Sequence, residues 1–192
     1  MNIGLAQTAV ADEQELVDRA RAGERAAFAR LIEGRYNFLF RLAWRWTGNR
    51  ADAEDVAQEV CVRLARAIQS FRGEASFSTF LHALTLNAVR DWGRRRARQQ
   101  RIADAVLTFA AIDTAGQAAP DADPAGQLWE AVRGLPEKQR DAVLLVHGEG
   151  LSHADAGAAM GCSEKTVSWH IHEARKRLRR MLASGGNANE DA

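Results

Sequence analysis

Apolar side chains recur every three or four residues along almost the whole chain, and no segment alternates convincingly with period two. That spacing lines one face of an α-helix and leaves little to pleat into a sheet, so an all-α fold is expected. Only three prolines occur, at 120, 124 and 136. Two of them fall in a stretch from about Gln99 to Gln127 that is rich in Ala, Gly and Asp, a composition suited to a flexible acidic linker between two small helical domains. With 192 residues, 46% of them hydrophobic, each domain has material for a modest core. The expected boundaries are 10–98 for the first domain, 99–127 for the linker, 128–183 for the second domain and 184–192 for a small, polar, disordered tail. Within the linker, the run beginning at Ile102 keeps the spacing of a short amphipathic helix.

In the first domain, Leu16, Ala20, Phe28, Leu31, Ile32, Leu39 and Ala43 fit two packed helices interrupted near Gly23. Asn49 and Asp52 supply cap chemistry for a third helix with the stripe Val56, Val60, Leu64 and Ile68. A loop bounded by Phe71 and Phe77 leads to a fourth helix on Phe77, Leu81, Leu84 and Ala88, expected to run to about Arg96. In the second domain Pro136 suits a first helical position. The helix that follows carries Val143, Leu144 and Val146. Ser152 and Asp155 form a capping-box pattern for a short helix reaching Met160. Gly161-Cys162 then makes a tight turn, Ser163 caps again, and a long helix follows on Val167, Ile171, Ala174, Leu178 and Met181. Two helices joined by a short glycine turn, the second one cationic, is a helix-turn-helix pattern.

Charge is uneven although the formal net charge is only +1. Residues 90–101 hold six arginines against Asp91, whereas residues 102–128 hold four aspartates and no Lys or Arg. Three surfaces follow from helical geometry. On the last helix Lys165, Ser168, Trp169, His172, Arg175 and Lys176 lie away from the Val167 stripe, with Ser163 and Thr166 at its start. Donors and a flat ring at such positions suit a major groove. On the fourth helix Thr79, Ala83, Asn87, Arg90 and Arg94 share one sector. That sector suits a nucleic-acid strand with cationic backbone contacts, while Phe71, Phe77 and Phe80 offer either core packing or faces for unstacked bases. On the third helix Asp55, Gln58, Glu59 and Val62 form an acidic face with an apolar centre, suited to water or to a basic helical partner.

Enzyme chemistry finds little support. The five histidines at 82, 147, 153, 170 and 172 form no ligand pattern, so no metal and no cofactor is expected, and no glycine loop cradles phosphate. Cys61 and Cys162 fit no redox or metal spacing and are expected as reduced, half-buried thiols. The first residues have no basic start followed by an apolar core, and no run of about 18 apolar residues occurs. A soluble cytoplasmic chain with no membrane contact of its own is expected.

The segments Asp52-Ala-Glu-Asp-Val-Ala-Gln-Glu-Val, Phe71-Arg-Gly-Glu-Ala-Ser-Phe-Ser-Thr-Phe-Leu and Asn87-Ala-Val-Arg-Asp-Trp resemble region two of sigma-70 family sigma factors of the extracytoplasmic-function type. Leu135-Pro-Glu-Lys, Gly150-Leu-Ser, Met160-Gly-Cys-Ser, Thr166-Val and Glu173-Ala-Arg-Lys-Arg-Leu resemble region four. The resemblance implies a non-enzymatic factor that binds core RNA polymerase and directs initiation at promoter DNA. It implies β′ clamp-helix docking through Asp55, Gln58, Glu59 and Val62. Minus-ten recognition would fall to Phe71, Phe77, Thr79, Phe80, Ala83, Asn87, Arg90 and Arg94. Minus-thirty-five recognition would fall to Ser163, Lys165, Thr166, Ser168, Trp169, His172, Arg175 and Lys176, with the apolar side of region four on the β flap and an anti-sigma factor as a further partner. Ser168-Trp169-His170 departs from the Lys-Ser-Arg type of sequence frequent there, and His153 stands where Tyr is common. The rival expectation is a helix-turn-helix repressor or activator that does not dock on core polymerase. That rival leaves the acidic face of the third helix without a role.

Overall fold

A computed structural model describes the backbone of residues 3–109 and 124–186, and every regular element among them is helical. The chain divides into two compact units, residues 1–90 and 91–192. No described helix is long and apolar enough to cross a membrane.

The first unit contains α1 (Ile3–Arg21), α2 (Arg25–Thr47), α3 (Arg50–Ala67), a 3₁₀ turn (Ile68–Ser70) and the start of α4 (Phe77–Phe109). Gly23 separates α1 from α2 at φ +92°, and Arg19 reaches across the break to Glu24 at 2.6 Å. Gly48, also left-handed, ends α2 by donating its N–H to the Trp44 carbonyl, and the Asn49 side chain opens α3 by accepting from the Asp52 N–H at 3.1 Å. The core is built on Val17, Leu31, Leu39, Leu42, Val56, Val60, Leu64, Leu81, Leu86 and Val89, each 2% exposed or less. Val17, rather than the half-buried Leu16, holds α1 to the others, and Leu86 and Val89 are buried more deeply than Leu84.

The second unit contains α5 (Pro124–Arg133), α6 (Glu137–Val143), a π-helical turn (Leu144–Gly148), α7 (His153–Met160) and α8 (Glu164–Gly186). In the π turn the Glu149 N–H donates to the Leu144 carbonyl, five residues back, at 2.9 Å. Leu144 and Leu145 are buried there with Asp141 and Ala142, while Val143 and Val146 are only half-buried. Ser152 and Ser163 cap α7 and α8 by accepting from the Asp155 and Thr166 N–H groups at 3.0 and 3.2 Å, and Gly161 turns the chain between them at φ +68°.

Four boundaries differ from the sequence expectation. Helix α1 begins at Ile3, ahead of 10. Helix α4 runs on to Phe109 instead of ending near Arg96, because the Arg, Ala and Gln residues there are good helix formers and the next proline comes only at 120. Helix α5 starts at Pro124, inside the expected linker, with proline at the position where its missing N–H costs nothing. Helix α8 continues past Ser184 to Gly186. The centre of the expected linker, residues 110–123, and the tail from 187 lie outside the described residues.

Candidate nucleic-acid interface

Helix α3 turns Ala53, Val56, Ala57, Val60 and Leu64 inward. Its opposite side places Asp55, Gln58 and Val62 in solvent and Glu59 at the margin, so the four expected residues share one face. Val62 is 50% exposed among these polar neighbours, and Glu59 accepts from Arg63 Nε at 2.8 Å one turn along. An acidic rim around an exposed branched side chain is a surface for a basic partner that also offers apolar contact.

Helix α4 opens on Ser76, whose hydroxyl accepts from the Thr79 N–H at 3.0 Å and pairs with the Thr79 hydroxyl at 2.8 Å. Thr79 is 5% exposed, so its expected place on the open sector is corrected: its hydroxyl belongs to the helix cap, not to an outward face. Phe71 and Phe77 are likewise buried, at 6% each. Their ring centroids lie 5.7 Å apart, and Phe71 lies 4.8 Å from the half-buried Phe80. Of the two expectations for these rings, packing takes most of their surface. What remains open is the backbone turn through Arg72, Gly73 and Glu74. Farther along α4, Asn87 is exposed and Ala83 and Arg90 are half-buried. Arg94 is exposed and paired with Asp91, and Arg96 lies over the Trp92 ring at 5.5 Å from its centroid.

Helix α8 buries Val167, His170, Ile171 and Ala174 against its own unit. Lys165, Ser168, Trp169, His172, Arg175 and Lys176 are exposed together, with Trp169 at 57%. The expected outward face therefore exists as one surface. Three of the expected residues are partly engaged in bonds within the helix and its cap. The Ser163 and Thr166 hydroxyls bond to one another at 2.8 Å, and the Ser168 hydroxyl donates to the Glu164 carbonyl at 3.1 Å.

Sequence reasoning missed several features. His170 is 8% exposed, and its low exposure depresses its basicity; nearby Lys138 adds to this and Asp141 opposes it. Asp141 is fully buried, a position that no periodicity rule gives to a carboxylate. In the same unit Leu128, Trp129, Met181 and Leu182 are exposed. A cleft of about 230 Å³ is lined by Gly134, Leu135, Pro136, Arg177, Arg180 and Met181. Trp129 and Leu182 are apolar side chains left 36% and 44% exposed among the described residues, which only tertiary packing shows. Both cysteines are half-buried free thiols, and burial raises the Cys61 thiol above its ordinary value. Among the described residues no group of three or more His, Cys, Asp or Glu gathers as a metal site would.

The family model for Sigma-70 region 2 matches residues 31–99, and that for Sigma-70, region 4 matches residues 125–178. The chain is 35% identical over 156 residues to the ECF RNA polymerase sigma factor SigE of Mycolicibacterium smegmatis, covering 80% of this chain and 60% of that one. It is 33% identical over 170 residues to the ECF RNA polymerase sigma factor SigM of Mycobacterium tuberculosis, covering 88% and 84%. It is 28% identical to the ECF RNA polymerase sigma-E factor of Haemophilus influenzae, covering 88% and 95%. Two solved structures share the fold. One is the sigma factor RpoE in complex with the anti-sigma factor NepR from Bartonella quintana, with TM-score 0.62, 23% identity, and coverage of 81% of this chain and 96% of that one. The other is CnrH in complex with the cytosolic domain of CnrY, with TM-score 0.64, 24% identity, and coverage of 90% and 98%. With both region models matched in order, and a relative one-third identical along most of its own length, the chain belongs to the extracytoplasmic-function group of the sigma-70 family.

Proposed function

We propose that this chain binds core RNA polymerase and directs it to promoters, contributing recognition and strand opening but no bond chemistry. The observation that carries the reading is that one chain holds two surfaces of opposite character: the acidic and apolar face of α3 and the cationic, aromatic face of α8. A repressor needs only the second.

In this reading residues 10–98 dock on the β′ clamp helices through Asp55, Gln58, Glu59 and Val62. The same domain opens the minus-ten element through the turn after Phe71 and the exposed Asn87, with Arg90 and Arg94 on the strand backbone. Residues 128–183 read the minus-thirty-five element through α8, and the acidic linker lies along the path of RNA, where like charge keeps nucleic acid from lodging. The part-exposed Leu128, Trp129 and Leu182, together with Met181 in the arginine-lined cleft, fit the β flap, because exposed apolar patches mark association sites. An anti-sigma factor that covers these surfaces is the partner expected to hold the chain inactive. The chain acts where polymerase and promoter meet, in the cytoplasm.

The deciding experiment is run-off transcription with purified core polymerase on genomic promoter fragments, with and without the chain. Specific transcripts that appear only with the chain support the reading. Tight promoter binding by the chain alone, with no effect on core polymerase, replaces it with the repressor.

A further inference from the structure

His153 Nδ1, at the start of α7, lies 2.8 Å from Ser168 Oγ on α8, fifteen residues away in the chain. The same hydroxyl donates to the Glu164 carbonyl oxygen at 3.1 Å. A serine hydroxyl has one proton, and here the carbonyl, which can only accept, takes it. The hydrogen of the other bond must then come from the imidazole, so His153 carries a proton on Nδ1 and Ser168 Oγ accepts it. Ser168 is left with no proton to offer the oxygen or ring nitrogen of a guanine, although it stands on the exposed face of the helix beside Trp169. The pair also ties the two helices together at their open edge, while Gly157 lets α7 approach the turn before α8.

We propose that His153 is a positioning residue for promoter recognition. By donating Nδ1–H to the exposed Ser168 Oγ, it keeps the hydroxyl hydrogen turned to the Glu164 carbonyl, so that Ser168 meets the minus-thirty-five element only as an acceptor. Donation to base edges from this part of α8 then falls to Lys165 and His172. This inference rests on the sigma-factor reading of α8.

The test is multiplexed run-off transcription with core polymerase on templates randomised across the upstream element, using the full chain. His153→Phe lets the Ser168 hydroxyl hydrogen turn outward and is expected to shift preference toward guanine at one base pair by about tenfold, the size of one added base contact. His153→Asn, whose amide N–H takes the place of Nδ1–H, keeps the parent profile, and adding His153→Phe to Ser168→Ala changes the profile of that variant by less than about twofold. Rescue by Asn separates positioning from mere packing. Where His153→Phe lowers the thermal midpoint, His153→Ala, which adds no bulk, takes its place. A well-folded His153 variant without the donor that keeps the parent profile overturns the proposal. So does a well-folded His153→Asn with an altered profile. A parent that gives no transcripts with core polymerase overturns the sigma reading itself, and the proposal with it.

Discussion

Glu13 on α1 and Arg35 on α2 are clasped by two hydrogen bonds, Nε to one carboxylate oxygen and Nη2 to the other, with both side chains about three-quarters shielded from water. Arg35 also lies 5.8 Å from the centroid of the Phe38 ring. A planar guanidinium held in this two-point geometry ties the first helix to the second more specifically than a point charge does. Glu13→Gln keeps the shape, removes the charge and leaves the guanidinium with a weaker acceptor. The expected loss is about 1–3 kcal/mol, read as a lower urea midpoint of the first unit. Glu54→Gln, which breaks the more exposed Arg50–Glu54 pair, is expected to cost under about 1 kcal/mol. Equal effects from the two changes would refute this ranking.

A second prediction concerns a glycine inside a helix. Gly157 lowers the helix propensity of α7 by about 1 kcal/mol relative to alanine, so an isolated helix would gain from Gly157→Ala. In the folded unit, however, a Cβ at 157 would stand 2.8 Å from the Cys162 carbonyl oxygen, which is backbone and has little freedom to retreat. The overpacking cost of about 1–3 kcal/mol is expected to outweigh the propensity gain, so the variant should melt lower than the parent. A higher melting temperature would show that the turn between α7 and α8 yields easily.

The buried ring of His170 makes the second unit sensitive to acid. Low exposure is the main reason its basicity is depressed, followed by the nearby Lys138 charge, while Asp141 pulls the other way. The neutral ring is favoured in the fold, so the unfolded chain binds more protons once pH falls below the ordinary imidazole value of about 6.5. This contribution is therefore fully present above that value and declines as pH falls through the window beneath it. Urea unfolding at pH 7.5 and pH 5, followed by tryptophan fluorescence, should show a steeper acid loss for the parent than for His170→Leu. Parallel losses would mean that His170 does not set the dependence.

Charge reversal on α3 tests the polymerase-facing surface. Asp55 is exposed and Glu59 is bonded only along its own helix face to Arg63, so arginine at both positions leaves the core of Val56, Val60 and Leu64 untouched. Asp55→Arg with Glu59→Arg should keep its helical content while losing affinity for core polymerase by at least about tenfold, as opposed charges at a docking face become like charges. Unchanged co-purification with core polymerase would remove this face from the interface.

The fold was largely legible because helices declare themselves locally. Asn49, Ser152 and Ser163 cap where their chemistry predicts, Gly23, Gly48 and Gly161 break the chain where a left-handed turn is needed, and the Val56–Val60–Leu64 and Val167–Ile171–Ala174 stripes are buried. The exposed faces opposite those stripes followed from the same 100° turn per residue, which is why Asp55, Gln58, Val62, Lys165, Trp169 and His172 lie where they were expected. Helix ends without a proline or a capping residue were not legible, and α4 therefore outran its expected limit.

The sequence by itself determined that this chain is helical, two-part and equipped with a cationic helix-turn-helix, because periodicity and cap chemistry act over a few residues. Only the tertiary structure decided that Phe71 and Phe77 turn their faces to one another, that Thr79 closes a cap, that Leu145 replaces Val146 in the core, and that His153 engages Ser168. Each of these depends on which surfaces meet after the helices pack, and contacts between distant residues leave no mark in the local pattern.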